Sequence, residues 1–281
     1  MKRLIALDID GTLRDEQYGI PESAKKAISI CREKGHIVCL CTGRSIGMIQ
    51  EDVKALGIDT IIAGGGNYIV HKEAVIKKEA FCEAKMKQLK KYWERWREEL
   101  PFAITLESDD VIYMNQAAVL VLKEMNQEKK EHLSREQVQY INQNEVIRYE
   151  ENWNQWKEAP IHKICLWSDK KFFEEMRELL GEEMILAQEG RWKEQFYYEM
   201  VKKGCDKGDA ILALCEYLKI SLEQTIAFGD GNNDSSMLTA CQIGIAMENG
   251  SEELKKIADG ICEEAMKDGI YKELERRKII E

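Results

Sequence analysis

With 281 residues, 44% of them hydrophobic and 33% charged, the chain can bury a substantial core and is neither disordered nor membrane-embedded. Its formal charge of −10, with no run of five Lys or Arg residues, excludes the basic footprint that a nucleic-acid partner requires. The same charge repels anions at long range, so a phosphate-bearing ligand must be captured by local features.

The N-terminal MKRLIALDIDGT is interrupted by aspartates too early for a signal peptide, and nowhere do about 18 apolar residues follow one another. Nine cysteines without a CxxC pair and four scattered histidines give a zinc site no support, and a reducing cytoplasm is expected.

Taken in chain order, residues 4–7, 37–41, 60–63, 225–228 and 243–247 are short apolar runs ending in polar turns. They read as buried parallel strands. Helical patterns cover about 21–34, 45–56, 207–219, 234–241 and 251–258, and this alternation predicts a doubly wound α/β sheet of the Rossmann-like kind. The rhythm stops near residue 81 and resumes near 204. All six tryptophans lie in between.

There the spacing of Met86, Leu89, Trp93, Trp96 and Leu100 predicts a one-sided amphipathic helix, with Trp93 and Trp96 in a core. FAITLE and HKICLW read as strands, 170–180 as a helix, and 126–137 as a solvated helix face or loop. Residues 1–80 and 200–281 are thus expected to form a discontinuous core, and 81–199 an inserted α/β domain.

Four short motifs carry the chemistry. Asp8-Ile9-Asp10-Gly11-Thr12 follows the first strand, at the edge where open α/β sheets bind ligands, and two carboxylates so close together need a cationic answer. GDGNND, residues 229–234, adds Asp230 and Asp234 at another strand end. Converging oxygen ligands with no soft donors point to Mg²⁺. Thr42-Gly43-Arg44, before the predicted helix 45–56, offers a hydroxyl and backbone N–H groups to a phosphate. In Asp206-Lys207-Gly208 a lysine sits in the first turn of a helix, where the dipole disfavours a cation unless an anion is held there. The triplet Gly64-Gly65-Gly66 reads as a tight, exposed loop.

In order and spacing, DIDGT, TGR, DKG and GDGNND resemble the haloacid dehalogenase-like superfamily, and the large insert between the second and third motifs resembles its Cof-like branch. The resemblance spans essentially the full length, including IGIAMENG and KDGIYKEL. It implies that Asp8 is a nucleophile forming a phosphoaspartate and Asp10 a general acid/base. It implies that Asp8, the Asp10 carbonyl and Asp230 hold Mg²⁺, with Asp234 supporting the metal shell through water. Thr42, Gly43, Arg44, Lys207 and Asn233 would meet the phosphoryl group or substrate.

The expected activity is hydrolysis of a small phosphorylated metabolite by a monomer or small homo-oligomer. A phosphomutase or phosphotransferase with the same intermediate, or a phospho-Asp signalling module without turnover, remains an alternative. Acid catalysis requires Asp10 to start protonated, so a raised pKa is expected for it. The insert should close over the site on hinges near residues 77–82 and 199–203.

Overall fold

The structure is a computed structural model that describes residues 2–94, 102–150, 155–156 and 159–281. In chain order its strands are β1 Leu4–Leu7, β2 Ile37–Cys41, β3 Thr60–Ala63, β4 Tyr68–His71, β5 Ala74–Lys78, β6 Ala103–Glu107, β7 Ile112–Met114, β8 Tyr149–Glu150, β9 Lys163–Ser168, β10 Met184–Trp192, β11 Gln195–Lys202, β12 Thr225–Gly229, β13 Ile243–Met247 and β14 Gly260–Cys262. The helices are α1 Glu22–Glu33, α2 Glu51–Lys54, α3 Glu83–Glu94, α4 Gln116–Glu131, α5 Arg135–Asn144, α6 Lys170–Leu180, α7 Lys207–Leu218, α8 Ser235–Ala240, α9 Glu252–Ile257 and α10 Gly269–Arg276.

Eight strands form the first sheet in the order β14-β13-β12-β1-β2-β3-β4-β5, parallel from β14 to β3 and closed by the antiparallel β4 and β5. The chain leaves β1 toward β2 on one side and returns to β12 on the other. The sheet therefore reverses its winding between β1 and β12, and a crevice opens at their carboxyl ends.

Successive residues of β1 point to opposite faces, and both faces are covered. Ile5 and Leu7 pack with Ala27 and Ile28 of α1 and Ile270 and Leu274 of α10. Leu4 and Ala6 pack with Ile211 and Leu214 of α7 and Met237 and Leu238 of α8. The unbroken apolar run LIAL is what a strand buried on two sides requires.

The second sheet, β10-β11-β9-β6-β7-β8, is antiparallel except for β7 against β8. Even-numbered residues of β6, β9 and β11, among them Ile104, Leu106, Ile164, Leu166 and Met200, pack on Met86 and Leu89 of α3 and Met176 of α6. The odd-numbered face is covered by α4 only at the end where Ala103, Cys165 and Trp167 meet Ala118 and Val119. Its other end, carrying Glu107, Lys163 and Glu199, looks onto the crevice.

The apolar stripe on α3 is buried at Met86 and Leu89; the side chains of Trp93, Trp96 and Leu100 lie outside the described residues. Residues 126–137 form the end of α4, a turn and the start of α5, which Ser134 and Gln137 close with a capping box. β11 runs on to Lys202, past residue 199, so the second proposed hinge is strand rather than linker. All nine cysteines are unpaired, and no helix among the described residues is long and apolar enough to cross a membrane.

Two other expectations are corrected. Residues 45–56 do not form one helix: a 3₁₀ turn at Ile46–Met48 is followed by extended Ile49 and Gln50 and then the four-residue α2. The backbone there is drawn out to meet the second unit, with the Gly47 N–H donating to the Asp109 carbonyl at 2.9 Å. The glycine triplet is not exposed, because Gly64 and Gly66 are buried.

Gly66, at φ 118°, has the Asp206 carbonyl oxygen 2.2 Å from where a Cβ would lie, and this close approach seats the start of α7. Gly66→Ala should therefore cost roughly 3 kcal/mol or more, from backbone strain plus overpacking. Gly35→Ala, also at positive φ but with nothing within 4 Å, should cost about 1 kcal/mol. Urea unfolding of the two variants measures the difference; equal losses would show that the loop yields.

Candidate active site

The loops after β1, β2 and β12 and the first turn of α7 meet at the crevice. Asp8 and Asp234 both accept from the buried Lys207 ammonium, at 2.7 Å and 2.5 Å. The other Asp234 oxygen accepts from the backbone N–H groups of Asp230 at 2.9 Å and Gly231 at 3.0 Å, which closes the GDGNND turn. Asp230 accepts from the Thr12 hydroxyl at 2.7 Å. Its carboxylate fits only because residue 11 is glycine: at φ 85°, a Cβ there would lie 2.2 Å from Asp230 Oδ2.

Asp8, Asp230 and Asp234 each bring a carboxylate oxygen within 4.8 Å of the others. Three carboxylates thus face one ammonium, and their donors are hard oxygens, so the group suits a divalent cation such as Mg²⁺. No hydrogen bond among the described residues ends on the Asp10 carbonyl, whereas both Asp234 oxygens are engaged. These pairings favour Asp8, Asp230 and the Asp10 carbonyl as direct ligands and Asp234 as their support.

The charges carry the marks of this crowding. Burial, then Asp234, pushes the Asp8 carboxyl well above its ordinary range against the pull of Lys207. Burial likewise pushes Asp230 up to about 6, with Thr12 opposing and Asp234 adding to the rise. Burial works against the Lys207 charge, but Asp234 and Asp8 hold its proton firmly.

Thr42 is buried at the end of β2, where its hydroxyl accepts from the Arg44 N–H at 3.1 Å. No helix starts there, so any phosphate cradle at Thr42-Gly43-Arg44 is a loop rather than a helix N-terminus. Asn233 faces Gly43 across the crevice.

The Arg44 guanidinium donates to both Asp10 carboxylate oxygens, at 2.6 Å and 3.2 Å, and to Glu145 at 2.6 Å. Gln50 adds a bond to Asp10 at 2.7 Å. The expectation of a raised Asp10 pKa is corrected. Burial alone would raise it, but Arg44, Arg14 and Gln50 outweigh burial and hold the carboxyl below its usual value.

The second sheet roofs the crevice, whose volume is about 480 Å³. Its lining includes Glu107, Ile112, Glu145, Ile147, Lys163 and Tyr197, but no tryptophan among the described residues. Sequence reasoning missed this roof, together with the Thr12 bond to Asp230 and Gln50. A signal was present all the same: HKICLW and FAITLE are apolar strands that each carry one charged residue, Lys163 and Glu107, and a buried strand tolerates a charge only where it has a partner.

A doubly wound parallel sheet, with this cluster at its switch point and a second sheet, built between β5 and β12, above it, defines a Rossmann-like α/β fold. The haloacid dehalogenase-like hydrolase family matches residues 5–274. The chain belongs to that family and is a phosphatase within it. It is 27% identical over 275 residues to the pyridoxal phosphate phosphatase YbhA of Escherichia coli, covering 95% of this chain and 96% of that one. It is 26% identical over 285 residues to the phosphatase YwpJ of Bacillus subtilis, covering 92% and 94%. A solved sugar phosphatase of HAD subclass IIB shares the fold at a TM-score of 0.79, with 24% identity and coverage of 99% and 100%.

The raised Asp230 pKa has a measurable consequence. The folded carboxyl titrates near 6 against an ordinary 3.8, so the folded state binds more protons in that interval. Stability of the cation-free protein falls as pH rises through it, and the loss persists above. Asp230→Asn, which keeps the acceptor for Thr12, should raise the melting temperature in chelator at pH 7 to 8. The gain should vanish below about pH 4, near the ordinary carboxyl pKa. A variant less stable than wild type at pH 8 contradicts this.

Proposed function

We propose that the chain is a Mg²⁺-dependent phosphatase that hydrolyses phosphate monoesters of small metabolites, sugar phosphates or similar, through a phosphoaspartate on Asp8. The observation that carries this reading is the Asp8–Lys207–Asp234 arrangement beside Asp230: a carboxylate nucleophile in a pocket whose remaining groups are set to receive anionic oxygens. When bound, Mg²⁺ would be held by Asp8, Asp230 and the Asp10 carbonyl and would offset the repulsion between carboxylate and phosphate. Lys207 contributes a second positive charge and orients Asp8 for in-line attack. Thr42, Gly43 and Asn233 border the space for the phosphoryl oxygens.

Asp10 protonates the leaving oxygen and then takes a proton from water. In the observed arrangement its carboxylate is engaged by Arg44 and Gln50. Acid catalysis therefore requires Asp10 to be released from Arg44 as the substrate's phosphate arrives and offers Arg44 another anion. Residues 81–199 serve as the cap that shields this chemistry from bulk water and contacts the leaving group. A 480 Å³ crevice has the size for a small ester, and the named substrate of YbhA is one such compound.

With p-nitrophenyl phosphate and Mg²⁺, the wild type should release phosphate, and quenched reactions should show acyl phosphate on the peptide containing Asp8. Asp8→Asn should abolish both. Full turnover by that variant, or turnover undiminished by chelator, overturns the reading. Asp10→Asn should slow turnover about 10²–10⁴-fold, the range for a lost general acid/base. Arg44→Ala, by freeing Asp10, should move the alkaline limb of the kcat/KM pH profile, where the general acid loses its proton, to higher pH, since the Arg44 charge depresses the Asp10 pKa.

A further inference from the structure

Sheet alternation places Glu107, Lys163, Tyr197 and Glu199 on the crevice-facing side of the cap sheet, and every donor among them is already engaged. Lys163 donates to the Gly43 carbonyl at 2.8 Å and pairs with Glu107 at 3.3 Å and Glu199 at 3.4 Å, which uses all three of its N–H groups. The Tyr197 hydroxyl donates to Glu199 at 2.6 Å. Arg44, which also lines the crevice, is divided between Asp10 and Glu145. Two carboxylates thus answer one ammonium in the roof, where one would suffice for a structural tie. Glu199 receives Lys163 and Tyr197 on a single oxygen, and Glu145 receives Arg44 on a single oxygen.

From this donor-exhausted, acceptor-rich roof we infer that the enzyme selects a leaving group that carries hydrogen-bond donors and no negative charge, a polyol or amino-alcohol. It discriminates against esters bearing a second phosphate or a carboxylate. The inference rests on the phosphatase reading above.

A hydroxyl or ammonium of the leaving group supplies the donor that the spare Glu199 oxygen lacks, in a charge-assisted bond. Among these four side chains of the roof a second anion finds no free donor. It must part Lys163 from its carboxylates, leaving buried charge unpaired. Burial opposes ionisation of Glu199, but Lys163 and Tyr197 hold its carboxyl below the usual range, so the acceptor stays anionic through neutral pH.

The test uses three six-carbon 6-phosphate esters, glucosamine 6-phosphate, glucose 6-phosphate and 6-phosphogluconate, with acetyl phosphate as a donor that has almost no leaving group to recognise. With Mg²⁺ present, kcat/KM for the amino and neutral esters should exceed that for the gluconate by about tenfold or more, the scale of one charge-assisted hydrogen bond. Glu199→Gln should shrink that ratio. Tyr197→Phe, which frees the oxygen its hydroxyl occupies, should steepen the preference for the ammonium ester.

Equal or reversed ordering in the wild type overturns the inference while leaving the phosphatase reading intact. So does an ordering that neither variant alters. Failure to hydrolyse any of the three esters or acetyl phosphate overturns the phosphatase reading, and the selectivity falls with it.

Discussion

The Lys207 ammonium, held between Asp8 and Asp234, is the interaction on which the rest of the site depends. Parallel packing brings the carboxyl ends of β1 and β12 side by side, so the acidic residues following them converge wherever the sheet forms. Carboxylates this close, buried and facing one another, repel at short range in a medium that screens poorly. One buried cation, delivered from a different segment, makes the convergence tolerable. It also leaves a surplus of negative charge, which is the condition for holding a divalent metal.

Delivering that cation is a backbone problem. α7 must start deep in the crevice, and it does so because Gly66 lets the Asp206 carbonyl come within the space of a side chain. Asp206 and Asp209 then cap the helix, satisfying N–H groups that would otherwise be buried without partners. The glycine loop after β3 is therefore part of the support for Lys207, although it touches none of the reacting groups. On the opposite side of the crevice the pleat of the second sheet does comparable work: the alternation that sends Ile164 and Leu166 to the core sends Lys163 toward the site.

What the sequence disclosed follows from the range of the forces involved. The buried strands β1, β2, β3 and β13 and the helices α1, α6 and α7 were legible because apolar periodicity and end signals are local. So was the placement of Asp8, Thr42, Lys207 and Asp230 at strand and helix ends. Residues 45–56 looked helical by the same local measure, but a contact with Asp109, some sixty residues away in sequence, drew the segment out. The Asp10 pKa went in the opposite direction to expectation for a related reason. Its neighbours in sequence are acidic, but Arg44 and Gln50, its neighbours in space, are not. The roof was illegible as a site because Glu107, Lys163 and Glu199 come from three strands and acquire a meaning only in register with one another.

Arg44 ties together two properties that are often treated as separable. One guanidinium binds the carboxylate of Asp10, after β1, and that of Glu145, just beyond α5 above the crevice. A lineage that altered position 145 to suit a new leaving group would also alter how tightly Arg44 holds Asp10. Substrate range and the proton economy of the reaction would then drift together, and a cap transplanted from a relative with another residue at this position would bring a changed pH dependence along with its specificity.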